Sequence, residues 1–129
     1  MASGFKEQNA PWKVGIEAPR RYHSGLLAAL ELNNRAVATS GDYMQPFTAD
    51  FSEHHILDAR RGHSAPELAS AAVAAPSAAL ADALATACMV LGSRASLQLL
   101  ARLQDCAAHL ITKNLLVIRV NGVRPRLPD

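Results

Sequence analysis

Asp82 and Thr86 stand four residues apart in an Ala- and Leu-rich stretch. On a helix that spacing stacks a carboxylate and a hydroxyl on one face, one turn apart. Two hard oxygen donors so placed can share a magnesium ion, which keeps positions open for water and phosphate oxygens. The pair also has an ordinary reading: Asp near a helix N-terminus answers the macrodipole, and Thr can bond back to its own backbone. His54 and His55 precede Ile56-Leu57-Asp58. An imidazole can take a proton from a hydroxyl nucleophile near neutral pH, although a strand histidine more often serves as a structural hydrogen-bonding group. His23, His63 and His109 show no partner in the sequence, and no chemistry is assigned to them.

Arg60, Arg61 and Gly62 follow Asp58 in a loop. Guanidinium binds phosphate bidentately and glycine lets a backbone approach it, so Arg60 is a candidate phosphate contact; solvated loop arginines are the commoner case. The Ser40-Gly41-Asp42 turn could present amides to an anion, or simply end a strand. No Walker sequence, dinucleotide fingerprint or nucleophile elbow is present.

The elements that must carry these residues can be read from pattern. Residues 1–10 are small and polar, a loop or frayed end, and 11–129 form one unit. Trp12–Glu17 alternates apolar and polar side chains, which predicts a strand broken by Pro19. Leu26–Leu32 fits helix or strand; the Asn33-Asn34 turn signal followed by Ala36–Thr39 predicts a hairpin. His55–Leu57 and Leu68–Ala75 read as further strands, the second closed by Pro76. Ser77 is suited to cap a helix running to Leu91, Gly92 to stop it, and Ser93 to start a second helix through about Leu103. Cys106–Ile111 and Leu115–Val120 predict a closing hairpin around Lys113-Asn114. Strands, two consecutive helices, then strands indicate an α+β fold.

Half the residues are apolar, but alanine supplies much of that fraction and aromatics only 5%. A core of small side chains buries little area per residue. The net charge of +2 is slight and the basic residues are scattered, which argues against a nucleic-acid partner. Cys88 and Cys106 lack metal-ligand spacing and sit in apolar stretches, as buried thiols do, with a disulfide left open. No signal peptide precedes Pro11 and no apolar run suggests a membrane span, so a cytoplasmic product is the expectation for the sequence as written.

Four segments, taken in order, resemble one family. PWKVGIEAPR (Pro11–Arg20) resembles a PWRVGIEDPR strand and turn. NRAVATSGDY (Asn34–Tyr43) resembles RAVATSGDY, HHILDARRG (His54–Gly62) resembles HIIDPRTG, and APSAALADALATACMVLG (Ala75–Gly92) resembles APTAMLADALATALFVLG. These are motifs of the ApbE family of FAD:protein FMN transferases, and the match covers about residues 11 to 100. The resemblance implies a T-fold-like α+β architecture of antiparallel strands and two helices, corresponding to the C-terminal half of a longer protein. It implies FAD as substrate, magnesium as cofactor, and transfer of FMN to a Thr or Ser hydroxyl of a target flavoprotein, with AMP leaving.

In that scheme Asp82 and Thr86 match the side-chain ligands of magnesium and His55 matches the base. Ser40, Gly41, Asp42 and Asp58 match residues shaping the flavin and phosphate pocket. Ala59 and Arg61 depart from the DPRTG loop, losing a fixed φ and placing a bulky cation where a small hydroxyl stands. Because family members are much longer, a separate N-terminal half or a homodimer partner is an implied complement. Two alternatives stand beside the transferase: an inactive interaction remnant and a magnesium-dependent FAD pyrophosphatase. Many family members act outside the cytoplasm behind a signal peptide.

Overall fold

The computed structural model describes residues 6–20, 26–121 and 125–126. Along the chain these form a 3-10 turn (Glu7–Asn9), β1 (Trp12–Glu17), β2 (Leu26–Leu32), β3 (Ala36–Gly41), β4 (Leu57–Asp58), β5 (His63–Ser64), β6 (Leu68–Ala75), α1 (Ala78–Leu100), β7 (Ala107–Thr112), β8 (Val117–Val120) and β9 (Pro125–Arg126). Strands β3, β6, β7 and β8 make an antiparallel sheet in the order β3-β6-β7-β8, while β1, β2 and β9 make a second sheet.

All eight residues of β6 are buried, because both of its faces are covered. Leu68, Ala71, Val73 and Ala75 face the helix and share a core with Ala81, Leu84, Ala85, Cys88 and Met89 of α1. Ala72 and Ala74 point the other way, against Ile16, Leu30 and Leu32 of the β1–β2 pair. The result is three layers: hairpin sheet, central sheet, helix. Small side chains on β6 allow this close stacking on both sides, so the alanine-rich composition serves the central strand directly.

The predicted hairpin between β2 and β3 does not form. Asn34 does turn the chain, with φ 49, but β2 pairs back onto β1, Trp12 opposite Leu32, while β3 leaves to join β6. A turn signal reports that the chain bends and does not name the partner. The helical region follows expectation: α1 is two consecutive helical segments that meet at a kink at Gly92, which stands at φ 77 and ψ 178, and the second segment starts at Ser93 and ends at Leu100. Ser77 caps its start by accepting a hydrogen bond from the Leu80 amide at 3.3 Å. After Gly92 the cap is Glu67, whose carboxylate accepts from the Ser93 amide at 3.1 Å and from the Ser93 hydroxyl. A Cβ at Gly92 would run into that same carboxylate.

The closing hairpin is present as β7–β8. Cys88 and Cys106 are buried free thiols, both pushed up from the ordinary thiol value chiefly by burial. By length and composition alone α1 could cross a membrane, which corrects the expectation that no such run exists. In this fold its apolar stripe lies on the central sheet.

Candidate functional site

Burial of Ala81, Leu84, Ala85, Cys88 and Met89 fixes the rotation of α1 and thereby the direction of its polar residues. Asp82 and Thr86 lie on the exposed side, one turn apart. The Thr86 hydroxyl is 3.0 Å from the hydroxyl of Ser40, at the end of β3. That contact joins two of the motif segments, one from the helix and one from the sheet. No hydrogen bond or ion pair among the described residues occupies the Asp82 carboxylate.

The arrangement offers one carboxylate and two hydroxyls. Among the described residues no group of three or more His, Cys, Asp or Glu side chains forms that could hold an ion. A hard cation at Asp82 and Thr86 would need further oxygens, from water or a ligand.

The loop from Tyr43 to Ile56 brings the two histidines in with different surroundings. His54 is buried: one ring nitrogen lies 2.9 Å from the Ala65 carbonyl and the other accepts from the Ile56 amide at 3.3 Å. His54 is thus a structural residue that ties the loop to β5 and its approach. His55 is exposed, and its backbone amide donates to the Gln45 carbonyl at 3.3 Å. Of the two, only the His55 ring is open to an incoming group. The hydrogen bonds of the described residues do not link it to Asp82, Thr86 or Ser40.

Asp42, Asp58 and Arg60 are already engaged. Asp42 is fully buried, its carboxylate gripped by both Arg20 guanidinium nitrogens at 2.8 and 2.9 Å and by Lys113 at 3.3 Å. The Arg20 guanidinium also lies 4.2 Å from the centre of the Phe51 ring, a cation–π contact. Gly41 beside it is buried, and a Cβ there would meet the Tyr43 ring. The Tyr43 phenol is raised above its ordinary value, first by burial and then by Glu17.

Asp58 accepts from Arg60 through the side-chain nitrogens at 3.0 and 2.9 Å and through the Arg60 amide at 3.0 Å. Those hydrogen bonds hold the Asp58 carboxyl below the usual carboxylate range, against desolvation, and raise Arg60 in turn. The guanidinium assigned to phosphate thus folds onto its own loop. Asp58, Arg60, Arg61, Glu67, Met89 and Gly92 line a cleft of about 90 Å³ at the far end of the first helical segment.

Sequence reasoning overlooked Lys113 and Glu67 and gave Arg20 no role of its own. Arg20 closes the first motif segment, where its position after Pro19 was a usable signal. Lys113 had none, since a single lysine in a hairpin turn reads as solvated charge.

The family model described as the ApbE family matches residues 1–110. The FAD:protein FMN transferase of Escherichia coli K12 is 31% identical over 112 residues, covering 85% of this chain and 32% of that protein. The FAD:protein FMN transferase of Treponema pallidum is 38% identical over 95 residues, covering 72% of this chain and 26% of that protein. The crystal structure of the ApbE protein of Thermotoga maritima superposes with a TM-score of 0.80 at 30% identity, over 91% of this chain and 38% of that one. The chain spans about a third of the length of the curated relatives it matches.

Proposed function

The chain belongs to the ApbE family, and from that premise we propose that it supplies the metal-holding and proton-accepting part of a flavin transferase site, which moves FMN from FAD to a protein hydroxyl. The observation that carries this reading is the 3.0 Å contact between Ser40 and Thr86, beside an open Asp82. It gathers the oxygen donors of two separate motif segments where a pyrophosphate-bearing ligand could complete a magnesium shell.

In the reaction, the oxygen of a Thr or Ser side chain on a target flavoprotein attacks the phosphorus of the FMN half of FAD. The bond from that phosphorus to the AMP oxygen breaks, AMP leaves, and a phosphoester remains. His55 takes the proton of the attacking hydroxyl. Asp82 and Thr86 would hold magnesium, which supplies charge neutralisation at the pyrophosphate when bound. Ser40, 3.0 Å away, would fix the orientation of the Thr86 hydroxyl. Asp42 and Asp58 act on the protein side of the pocket: each fixes a turn through its ion pairs and leaves ligand contact to neighbouring backbone.

The chain spans about a third of its relatives' length, and the rest of the flavin-binding surface would come from residues outside it, in the same polypeptide, a separate N-terminal half or a second copy. The test is incubation with FAD, magnesium and a target flavoprotein domain, with and without an added N-terminal half. Covalent flavin fluorescence on the target, lost in Asp82→Ala and on chelation of the metal, supports the transferase. No labelling with the added half leaves an inactive remnant. Release of FMN and AMP with the target unlabelled points to a pyrophosphatase.

A further inference from the structure

We infer that Lys113, which lies beyond the residues matched by the family model, is a positioning residue for both loops of the site. The inference deepens the transferase reading and rests on it for the meaning of the site, though the contacts stand by themselves. The ends of three neighbouring strands meet here. Gly41 of β3 is opposite Ser70 of β6, Leu68 of β6 is opposite Thr112 of β7, and the Asp42 amide donates to the Ala69 carbonyl at 3.0 Å.

Lys113 follows β7 directly and ties these ends together. Its ammonium lies 3.3 Å from the Asp42 carboxylate and donates to the Phe51 carbonyl at 2.5 Å; its own amide donates to the Glu67 carbonyl at 3.0 Å. One cation thus fastens the turn after Ser40 and the loop that carries His55. Arg20 already neutralises Asp42 with two hydrogen bonds, so charge balance at Asp42 does not require Lys113. Arg20 also touches the loop, through the Phe51 ring; what Lys113 adds is the hydrogen bond to the loop's main chain at Phe51, which is four residues before His55 and stands at φ 62, a conformation that an L-residue holds only when its surroundings fix it.

Amide hydrogen exchange and imidazole NMR on the full chain test this with Lys113→Met and Lys113→Arg. In Lys113→Met, exchange at Phe51, Glu53, His54 and His55 should rise about tenfold or more, the scale of one lost charge-assisted hydrogen bond. The His55 ring signals should move, and amides of β6 and α1 should keep their protection. Lys113→Arg, which retains a donor, should restore most of the loop's protection. Unchanged exchange in the loop overturns the proposal. A uniform rise that includes β6 also overturns it, because the lysine would then hold the fold and not the site. These readouts need no flavin. If the loop responds as expected while Asp82→Ala leaves magnesium-dependent FAD binding unaltered, the strap stands and the transferase reading fails.

Discussion

At the scale of single residues, the pairing of Asp58 with Arg60 has a consequence in acid. The Asp58 carboxyl is lowered, first by the Arg60 hydrogen bond. A carboxyl lowered on folding contributes stability in full above its unfolded value of about 4 and loses it as pH falls through the folded value. Acidification below pH about 4 should therefore loosen the β4–β5 turn progressively, and Asp58→Asn should remove that step from the pH dependence of the Leu57 and Ser64 amide signals. Asp50 behaves similarly, lowered to about 2 first by hydrogen bonding with Thr48 and then by Ser52, but it is exposed and only shapes its own turn. The site residues themselves were partly legible. Asp82 and Thr86 declare a shared face by spacing alone. His54 and His55 look equivalent in sequence, and only the fold distinguishes them, burying one ring against Ala65 and exposing the other. Spacing also could not show that Asp42 and Asp58 are spent on arginines, since one partner lies 22 residues away.

Among the elements, α1 depends on an exchange between Gly92 and Glu67. Gly92→Ala places a side chain at φ 77 and against the Glu67 carboxylate, and should cost about 1–3 kcal/mol in urea unfolding. Glu67→Ala removes the cap on Ser93 and should cost about 1 kcal/mol. The two costs should not add, because without the carboxylate part of the clash at Gly92 disappears; a double-mutant cycle measures the difference. Element identity was largely readable. β1 and β6 fall on their predicted residues, and Ser77 caps as its type suggests. Pairing was less so, because β2 meets β1 and β3 meets β6 through contacts that no local turn residue specifies. Ser93 starts the second segment as its type suggests, but the carboxylate that caps it, Glu67, was not readable for the same reason: donor and acceptor sit 26 residues apart.

For the molecule as a whole, the three layers leave β6 no room for bulk. Ala72 is 1% exposed and sits against Ile16, Leu30 and Leu32, so Ala72→Leu should overpack that interface by about 1–3 kcal/mol and lower the urea midpoint. The same change at an exposed helix position such as Ala83 should be nearly silent. Alanine content in the sequence suggested a weak core; in the fold it permits close approach of two layers to one strand.

The amide of Asn121 donates to the carbonyls of Leu100, Leu103 and Cys106, at 2.8, 3.4 and 3.0 Å. The end of the longest helix is thus sealed by a residue that comes 21 positions later. During synthesis the helix emerges well before its stopper; until Asn121 arrives, the Leu100 and Leu103 carbonyls have their local hydrogen bonds from the Leu103 and Cys106 amides, at 3.0 and 2.9 Å, without the side-chain clasp that joins them. Vectorial synthesis therefore builds in a waiting period: a nascent chain halted short of Asn121 holds its helix end by the local turn alone, and protease should cut there faster until the residue after β8 is delivered.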